Sequence, residues 1–404
     1  MKLEKLPIKF QEALPIITTL EAAGFEAYFV GGSVRDTLLQ KPIHDVDIAT
    51  SAYPEEVKAL FKKTADTGID HGTVMILDHG NGYETTTFRT ESTYTDFRRP
   101  DEVKFVRSLA EDLKRRDFTI NAFALKGDGE IIDIFDGLAD LQNKTLRAVG
   151  KPEERFHEDA LRMMRAVRFA AQLNFKIESN TKQAILDNAE LLAKISIERV
   201  NTEFTKMLQG INAQYGLLEL ISTHLNSYMP GLNNVEIDLW GYAELLAKDQ
   251  PHNATEAWTL LAFELGLTPN DTETFLRLWK QANELVQVAK TSIAFLNELR
   301  KADATNAQLY AVGTAFENAM AVVRLSQLTV DVNDLEQRYA QLAIHRREDL
   351  KISGRDLQSQ LGLKPGPLFG KIIGKIEALV VDGKLENNAD LLLEKAKDLS
   401  EKEK

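Results

Sequence analysis

The chain is expected to adopt an α+β fold, a head of mixed sheet and helices followed by an all-α remainder. Two observations predict this. Short apolar or β-branched runs that read as strands, at 27–30, 45–48, 74–77, 83–88 and 131–133, all lie in the first third of the 404 residues. From Glu158 onward, apolar residues recur at helical spacing, and beyond about residue 210 the sequence stays helical.

The N-terminal stretch reads as helix up to a stop at Gly24, with Leu14, Ile17 and Leu20 as its apolar stripe. Ala27-Tyr28-Phe29-Val30 then runs into Gly31-Gly32, so a buried strand is expected to end in a tight turn. Ser33 is expected to cap a short helix bearing Val34, Leu38 and Leu39 on one face, and Lys41-Pro42 breaks it. A second strand is expected from Asp45. Strand side chains alternate, so Asp45 and Asp47 face one way while Val46 and Ile48 face the core. Two adjacent carboxylates repel unless a cation sits between them, and hard oxygen ligands suit Mg2+. The glycine pair lets backbone N–H groups approach a phosphate at a helix N-terminus.

A helix over 54–63 is expected to bury Val57, Leu60 and Phe61. His71-Gly72-Thr73 leads into a strand at 74–77, Asn81-Gly82 reads as a hairpin turn, and 83–88 is the partner strand. On it, Glu84 either joins the cleft of the two aspartates as a third carboxylate or is a cross-strand surface residue. The polar run RTESTYTDFRR, 89–99, reads as a loop.

Ser108 and Glu111 form a capping box opening a helix that runs LAEDLKRRDFTINAFAL. Leu109, Leu113, Phe118 and Ile120 account for its packing. Arg115, Arg116, Asp117 and Asn121 do not fit a purely structural role. Arginines clamp a triphosphate, and an asparagine bonds ribose hydroxyls or a phosphate. After a turn at Asp136-Gly137, the helix EDALRMMRAVRFAAQL buries Leu161, Met164 and Val167. Asp159 and Arg162, three apart, share a face, and Glu158 sits one turn from Arg162 and can orient it. Carboxylate plus guanidinium offers the acceptor and donor edges that read a nucleobase. Arg165 follows one turn on, suited to bracing that pair or touching phosphate.

GGSVRD at 31–36, Asp45-x-Asp47, RRDFTINA at 115–122, EDxxR at 158–162 with the following RxxRF, and SIERVNTE at 196–203 together resemble a known set of motifs. They are those of the class II tRNA nucleotidyltransferases and bacterial poly(A) polymerases, within the polymerase-beta-like superfamily. The resemblance implies a catalytic head at 1–145, a helical neck at 146–210, a helical body at 211–340 and a tRNA-binding tail at 341–404. It implies that Asp45 and Asp47 hold two magnesium ions; Glu84, on its cleft-facing reading, would be a further catalytic carboxylate. Gly31, Gly32, Arg35, Asp36, Arg116 and Asn121 would cradle triphosphate and ribose. Asp159 and Arg162 would read the base, with Arg165 and Arg168 completing the nucleotide site.

Tyr94, Asp96, Arg98, Arg99 and Pro100 match a loop that the family needs for adding the final adenosine. Residues 136–150 resemble its hinge between head and neck. Arg199 and Glu203, at i,i+4, are expected to stabilise the neck. Gly354-Arg355-Asp356-Leu357 and Lys364-Pro365-Gly366-Pro367 resemble the tail that grips the tRNA elbow.

Composition narrows the alternatives. A net charge of −12 counts against nucleic-acid binding if read globally, but 144–168 holds Lys144, Arg147, Lys151, Arg155, Arg162, Arg165 and Arg168. There are no cysteines, so disulfides and thiolate metal sites are excluded, and the seven histidines show no ligand spacing. No apolar run is long enough to span a membrane, and the charged N-terminus is unlike a secretory signal, so a cytoplasmic protein is expected.

The expected activity is template-independent addition of C, C and A to the 3′ end of tRNA from CTP and ATP, by two-metal nucleotidyl transfer. The expected partners are tRNA, CTP and ATP, with no membrane; pairing as a homodimer is left open. One rival is a poly(A) polymerase, against which the 94–100 loop and the 364–367 element weigh. The other is a non-catalytic RNA-binding protein, which has no reason to keep the mutually repelling Asp45 and Asp47.

Overall fold

The computed structural model describes residues 1–68, 71–91, 103–364 and 366–402. The loop motif at 94–100 and Pro365 lie outside the described residues. The chain divides into two compact units, Met1–Glu236 and Ile237–Lys404.

The first unit opens with α1 (Ile8–Ala22), which buries Phe10, Ala13, Ile16, Ile17 and Leu20 and stops before Gly24 at φ +88°. Leu14, expected in that stripe, is half-buried. Then come β1 (Ala27–Val30), α2 (Gly32–Leu38), β2 (Asp47–Thr50), α3 (Pro54–Leu60), β3 (Thr64–Gly68), β4 (Thr73–Asp78) and β5 (Asn81–Thr87). They are followed by β6 (Arg89–Glu91), β7 (Val103–Phe105), α4 (Leu109–Lys114), β8 (Phe123–Leu125) and β9 (Ile131–Asp133). Seven of these strands form one sheet in the order β3-β4-β5-β2-β1-β8-β9. Only β2 and β5 are parallel neighbours; the other pairs are antiparallel, so the sheet is mixed as expected. The strands β6 and β7 pair separately, which makes Arg89 a strand residue rather than part of a loop.

Several local expectations give way to tertiary structure. The β4–β5 turn is His79-Gly80, both at positive φ, while Gly82 pairs with Leu77 inside the strand. A Cβ at Gly82 would meet Met75 Sδ at 2.8 Å, so that flexible side chain would have to move aside for any larger residue. Asp45 lies before β2, which begins at Asp47. Ser33 does not cap α2; its hydroxyl donates to the Val30 carbonyl at 3.1 Å. The helix at 54–63 ends at Leu60, leaving Leu60 and Phe61 half-buried.

The single helix expected from Ser108 is the largest departure. Ser108 Oγ accepts the Glu111 N–H at 3.4 Å, but α4 lasts six residues. A 3-10 turn (Thr119–Asn121) follows, then β8. Phe123, Ala124 and Leu125 are all completely buried, and β8 is flanked by β1 and β9. Burial on both faces of a central strand overrides the local helical pattern.

Helices then take over: α5 (Gly137–Gln142), α6 (Pro152–Glu158), α7 (Leu161–Leu173), α8 (Ser179–Asn188), α9 (Ile197–Leu208) and α10 (Ala213–Ser222). The short strands β10 (Thr145–Leu146) and β11 (Lys176–Ile177) pair in parallel among them. Residues 158–173 are not one helix, because the backbone breaks at Asp159 (φ −141°, ψ 103°). The central helix α7 is buried along most of its length and packs on α9 and α10. Gly216 permits the α10 contact, since a Cβ there would meet Ala171 Cβ at 2.7 Å.

The second unit holds all but the first residue of α11 (Glu236–Leu246), then α12 (Ala254–Glu264), α13 (Pro269–Leu278), α14 (Asn283–Leu299), α15 (Asn306–Val312), α16 (Phe316–Leu325) and α17 (Val332–Ala340). It ends with α18 (Gly354–Leu361), α19 (Pro367–Val381) and α20 (Ala389–Lys402). Each long amphipathic stretch is thus divided. Asn253 caps α12, Lys280 at φ +56° separates α13 from α14, and Gly313 at φ +50° ends α15. Trp258 and Trp279, ring centroids 4.9 Å apart, anchor one core; Ile344, Leu357, Ile372, Ile376 and Leu392 belong to another. Among the described residues no helix is long and apolar enough to cross a membrane.

Candidate active site

The first unit contains a cleft of about 680 Å³. The sheet side contributes Gly31, Gly32, Arg35, Asp47, Arg115, Arg116, Asp117 and Asn121; the helical side contributes Asp159, Arg162, Arg165, Arg168, Phe169 and Arg199. A smaller cavity of about 180 Å³ is lined by Asp47, Glu84, Arg89, Asp112, Arg115 and Arg116 among others. Asp47, Arg115 and Arg116 are common to both.

Strand pairing explains why Asp47 and Glu84 meet. The parallel β2–β5 ladder begins with Ile48 opposite Thr85, so Asp47 and Glu84, each one residue earlier, are brought next to each other just ahead of it. Burial pushes the Asp47 carboxyl up from its ordinary value, the charges of Glu84 and Asp45 push the same way, and Arg116 opposes them. Asp45 itself is exposed ahead of the strand. Gly31 adopts φ +76°, and a Cβ there would lie 3.3 Å from Asp47 Oδ2 and 3.7 Å from Arg116 Nη1. The positive φ is what calls for glycine here, and the missing side chain leaves the backbone open to both groups.

The RRDFTINA segment forms a buried polar chain. Asp117 Oδ1 accepts the Phe118 N–H at 2.8 Å and the Asn121 amide at 3.1 Å, while Oδ2 accepts Arg165 Nε at 2.7 Å. Asn121 Oδ1 in turn accepts Arg35 Nη1 at 2.7 Å. Arg35 and Arg165, from α2 and α7, are therefore tied through Asn121 and Asp117. Burial alone would raise the Asp117 carboxyl, but the Arg165 charge and the hydrogen bonds from Asn121 and Arg165 hold it down at about 2. Asp36 pairs with Arg35 at 2.8 Å.

Asp159 and Arg162 both line the cleft, but not as neighbours on one helix face. Asp159 sits in the break before α7, where its carboxylate accepts the Leu161 N–H at 3.0 Å and Arg199 Nη2 at 2.7 Å. Arg162 donates to Glu158 at 2.6 Å, the pairing expected from their spacing, and to the Arg115 carbonyl at 2.8 Å. Arg199 and Glu203 do not act along α9. Arg199 bonds Asp159, and Glu203 lies 2.9 Å from Arg168 Nε, in an ionic contact without hydrogen-bond alignment. Arg168 is brought down to about 10 by burial, with Glu203 opposing and Arg165 adding to the fall; its guanidinium stands 3.9 Å from the Phe169 ring centre.

Two contributors escaped the sequence reading. Asp112 holds Arg115 and Arg116, and its i,i+3 and i,i+4 spacing to them was a usable signal. Phe169 lies within 5.3 Å of the guanidiniums of Arg35, Arg165 and Arg168, and its place at the end of the RxxRF motif was the signal for it.

Among the described residues no three His, Asp or Glu side chains converge as a preformed metal cage. Asp45 and Asp47 nevertheless supply hard oxygens beside Glu84, and burial and mutual repulsion act on Asp47 together. That donor set fits a small divalent ion that takes one or two carboxylates and completes its shell with water and substrate phosphate.

Comparison with known proteins agrees with this geometry. Residues 27–147 match the family model for the poly A polymerase head domain. Residues 174–235 match the probable RNA and SrmB-binding site of polymerase A, and 249–396 match tRNA nucleotidyltransferase domain 2 (putative). Fold and site thus define a nucleotidyltransferase. The chain is 51% identical over 403 residues to the CCA-adding enzyme of Limosilactobacillus reuteri (strain DSM 20016), covering 99% of each. It is 53% identical over 400 residues to that of Enterococcus faecalis (strain ATCC 700802 / V583), covering 98% of each. The crystal structure of the Bacillus stearothermophilus CCA-adding enzyme in complex with CTP matches with a TM-score of 0.85 at 41% identity, over 98% of this chain and 99% of that one. The chain belongs to the family of CCA-adding enzymes.

Proposed function

We propose that this protein adds C, C and A, without a nucleic-acid template, to the 3′ end of tRNA, using CTP and ATP and releasing pyrophosphate. The observation that carries this reading is Asp47, which joins a carboxylate cluster on β2 and β5 to a cleft walled with arginines. Full-length identity to CCA-adding enzymes supports the choice of substrate.

Asp45 and Asp47, with Glu84 beside them, would hold divalent metal, and Mg2+ suits their oxygens. Held there, such an ion would make the attacking 3′-hydroxyl more acidic and would neutralise charge on the reacting phosphates. The protein supplies position and choice. Gly31 and Gly32 let the backbone close on the triphosphate, while Arg35 and Arg116 balance its charge. Asn121 and Asp117 keep Arg35 and Arg165 in place, so little reorganisation remains when nucleotide arrives. Asp159 presents acceptors and Arg162 presents donors to the base edge, each oriented by a charged partner, Arg199 and Glu158. A carboxylate has about four lone-pair sites, so Asp159 retains acceptor capacity after meeting Arg199.

The match of the head to poly A polymerases favours one other reading, an enzyme that adds adenosine only. One assay separates them. A tRNA transcript lacking its 3′ CCA is incubated with magnesium and CTP, ATP or both, and the products are sequenced. Two cytidines with CTP alone, and a single terminal adenosine with both, are expected. Adenosine tails from ATP alone on that transcript would move the protein to the poly(A) polymerases.

A further inference from the structure

Asp112 is the most deeply buried carboxylate at the cleft, its side chain only 1% exposed. It lies near the end of α4, and its oxygens receive three donors from two consecutive residues. Oδ1 accepts Arg115 Nε at 3.0 Å and Nη2 at 2.8 Å, and Oδ2 accepts Arg116 Nη2 at 3.3 Å. The Arg89 N–H, on β6, approaches Oδ1 at 3.4 Å. Held this way on one side, Arg116 donates Nη1 to the Asn121 carbonyl at 3.4 Å on the other, and a Cβ at Gly31 would lie 3.7 Å from that nitrogen and 3.3 Å from Asp47 Oδ2. Asp112 also lines the smaller cavity shared by Asp47 and Glu84.

We propose that Asp112 is the positioning residue of the triphosphate clamp, setting the Arg116 guanidinium beside Asp47 and Arg115 on the cleft wall. The proposal rests on the nucleotidyltransferase reading above. Two adjacent guanidiniums repel and, left alone, turn toward water. A shared buried anion draws both inward and fixes their forks. Burying a carboxylate is costly, and well-packed apolar residues generally stabilise a fold as well or better. An acid kept here is therefore better accounted for by the orientation it imposes than by stability. Asp112 never touches substrate on this account; it acts through the two arginines.

The test compares Asp112→Asn and Asp112→Glu with wild type, measuring kcat, KM for CTP, ATP and the tRNA transcript, and thermal melting. Asparagine preserves shape but removes the charge and turns one acceptor into a donor. Asp112→Asn is expected to weaken kcat/KM for both nucleotides by about 10- to 100-fold, the scale set by small misplacements of a clamp. The KM for tRNA stays at its wild-type value, and Asp112→Glu recovers part of the loss. In an Arg116→Gln background, adding Asp112→Asn costs little more, because the group to be positioned is gone.

Folded Asp112→Asn with wild-type nucleotide parameters would overturn the proposal, as would fully additive losses in the double variant. If Asp112→Asn gives no cooperative melt, Asp112→Glu, which displaces the same carboxylate by one methylene, is read by the same criteria. Wild-type protein that fails to add C, C and A overturns the functional reading instead, so the two failures are distinct.

Discussion

On the sheet side of the cleft Asp47 stands among carboxylates, raised by burial and by the charges of Glu84 and Asp45. On the helical side each carboxylate meets a guanidinium: Glu158 with Arg155 and Arg162, Asp159 with Arg199, and Glu203 with Arg168, while Arg165 reaches across to Asp117 on the sheet side. The same residue types thus serve two ends. Like charges crowded together make a site for something positive that comes with the substrate. Opposite charges locked together make a rigid wall whose shape is set before anything binds. Placing nucleotide chemistry at the first and selection at the second follows from that difference.

The comparison breaks first at Asp47 if it is wrong. Asp47→Asn is expected to lower nucleotide addition by about a thousandfold, the scale of losing a principal electrostatic group, while leaving the melting temperature unchanged or higher. Single-turnover extension checks this, and undiminished turnover would remove Asp47 from the metal site.

Asp117→Asn should show the reverse emphasis. Breaking a buried ion pair by removing one partner costs about 3–5 kcal/mol, measurable by urea unfolding. Its pH dependence sharpens the point. Asp117 falls from 3.8 to about 2 on folding, so its stabilisation is complete above the unfolded value and is lost as pH drops from 3.8 toward 2. Asp117→Asn should lack that acid-limb contribution.

The smallest effect is expected at Asp159, where Asp159→Ala should relax base choice by about 1–3 kcal/mol. Competition of UTP with CTP during the first addition measures it. Undisturbed selectivity would mean that Asp159 serves only Arg199, and the helical wall would lose its reading role.

Much of this was legible in the chain because the signals are local. Ala27–Val30 reads as a strand from its own apolar run, and Gly31 as a turn from its glycine. Asp47 and Glu84 come together through register between parallel strands, so the sequence left Glu84 with two readings. The break at Asp159 was invisible, since no Gly or Pro marks it; there the carboxylate meets Arg199, forty residues on, and the Leu161 N–H. Arg199 and Glu203 look like a pair by spacing, yet better partners wait on α6–α7. Likewise Phe123–Leu125 is too short and too apolar to announce a strand, and only the slot between β1 and β9 makes it one.

That slot has a consequence for biosynthesis. Val30 pairs with Ala124, so an inner ladder of the sheet joins residues nearly a hundred positions apart. At roughly 5–20 residues per second of translation, β1 and β2 emerge from the ribosome several seconds before β8 can dock beside them. During that interval Arg35 has no Asn121 to hold it, and the nascent head has no assembled nucleotide cleft. Competence for catalysis arrives later still, once the helices that carry Asp159 to Arg199 have been made, and until β8 docks that edge of β1 has no partner strand.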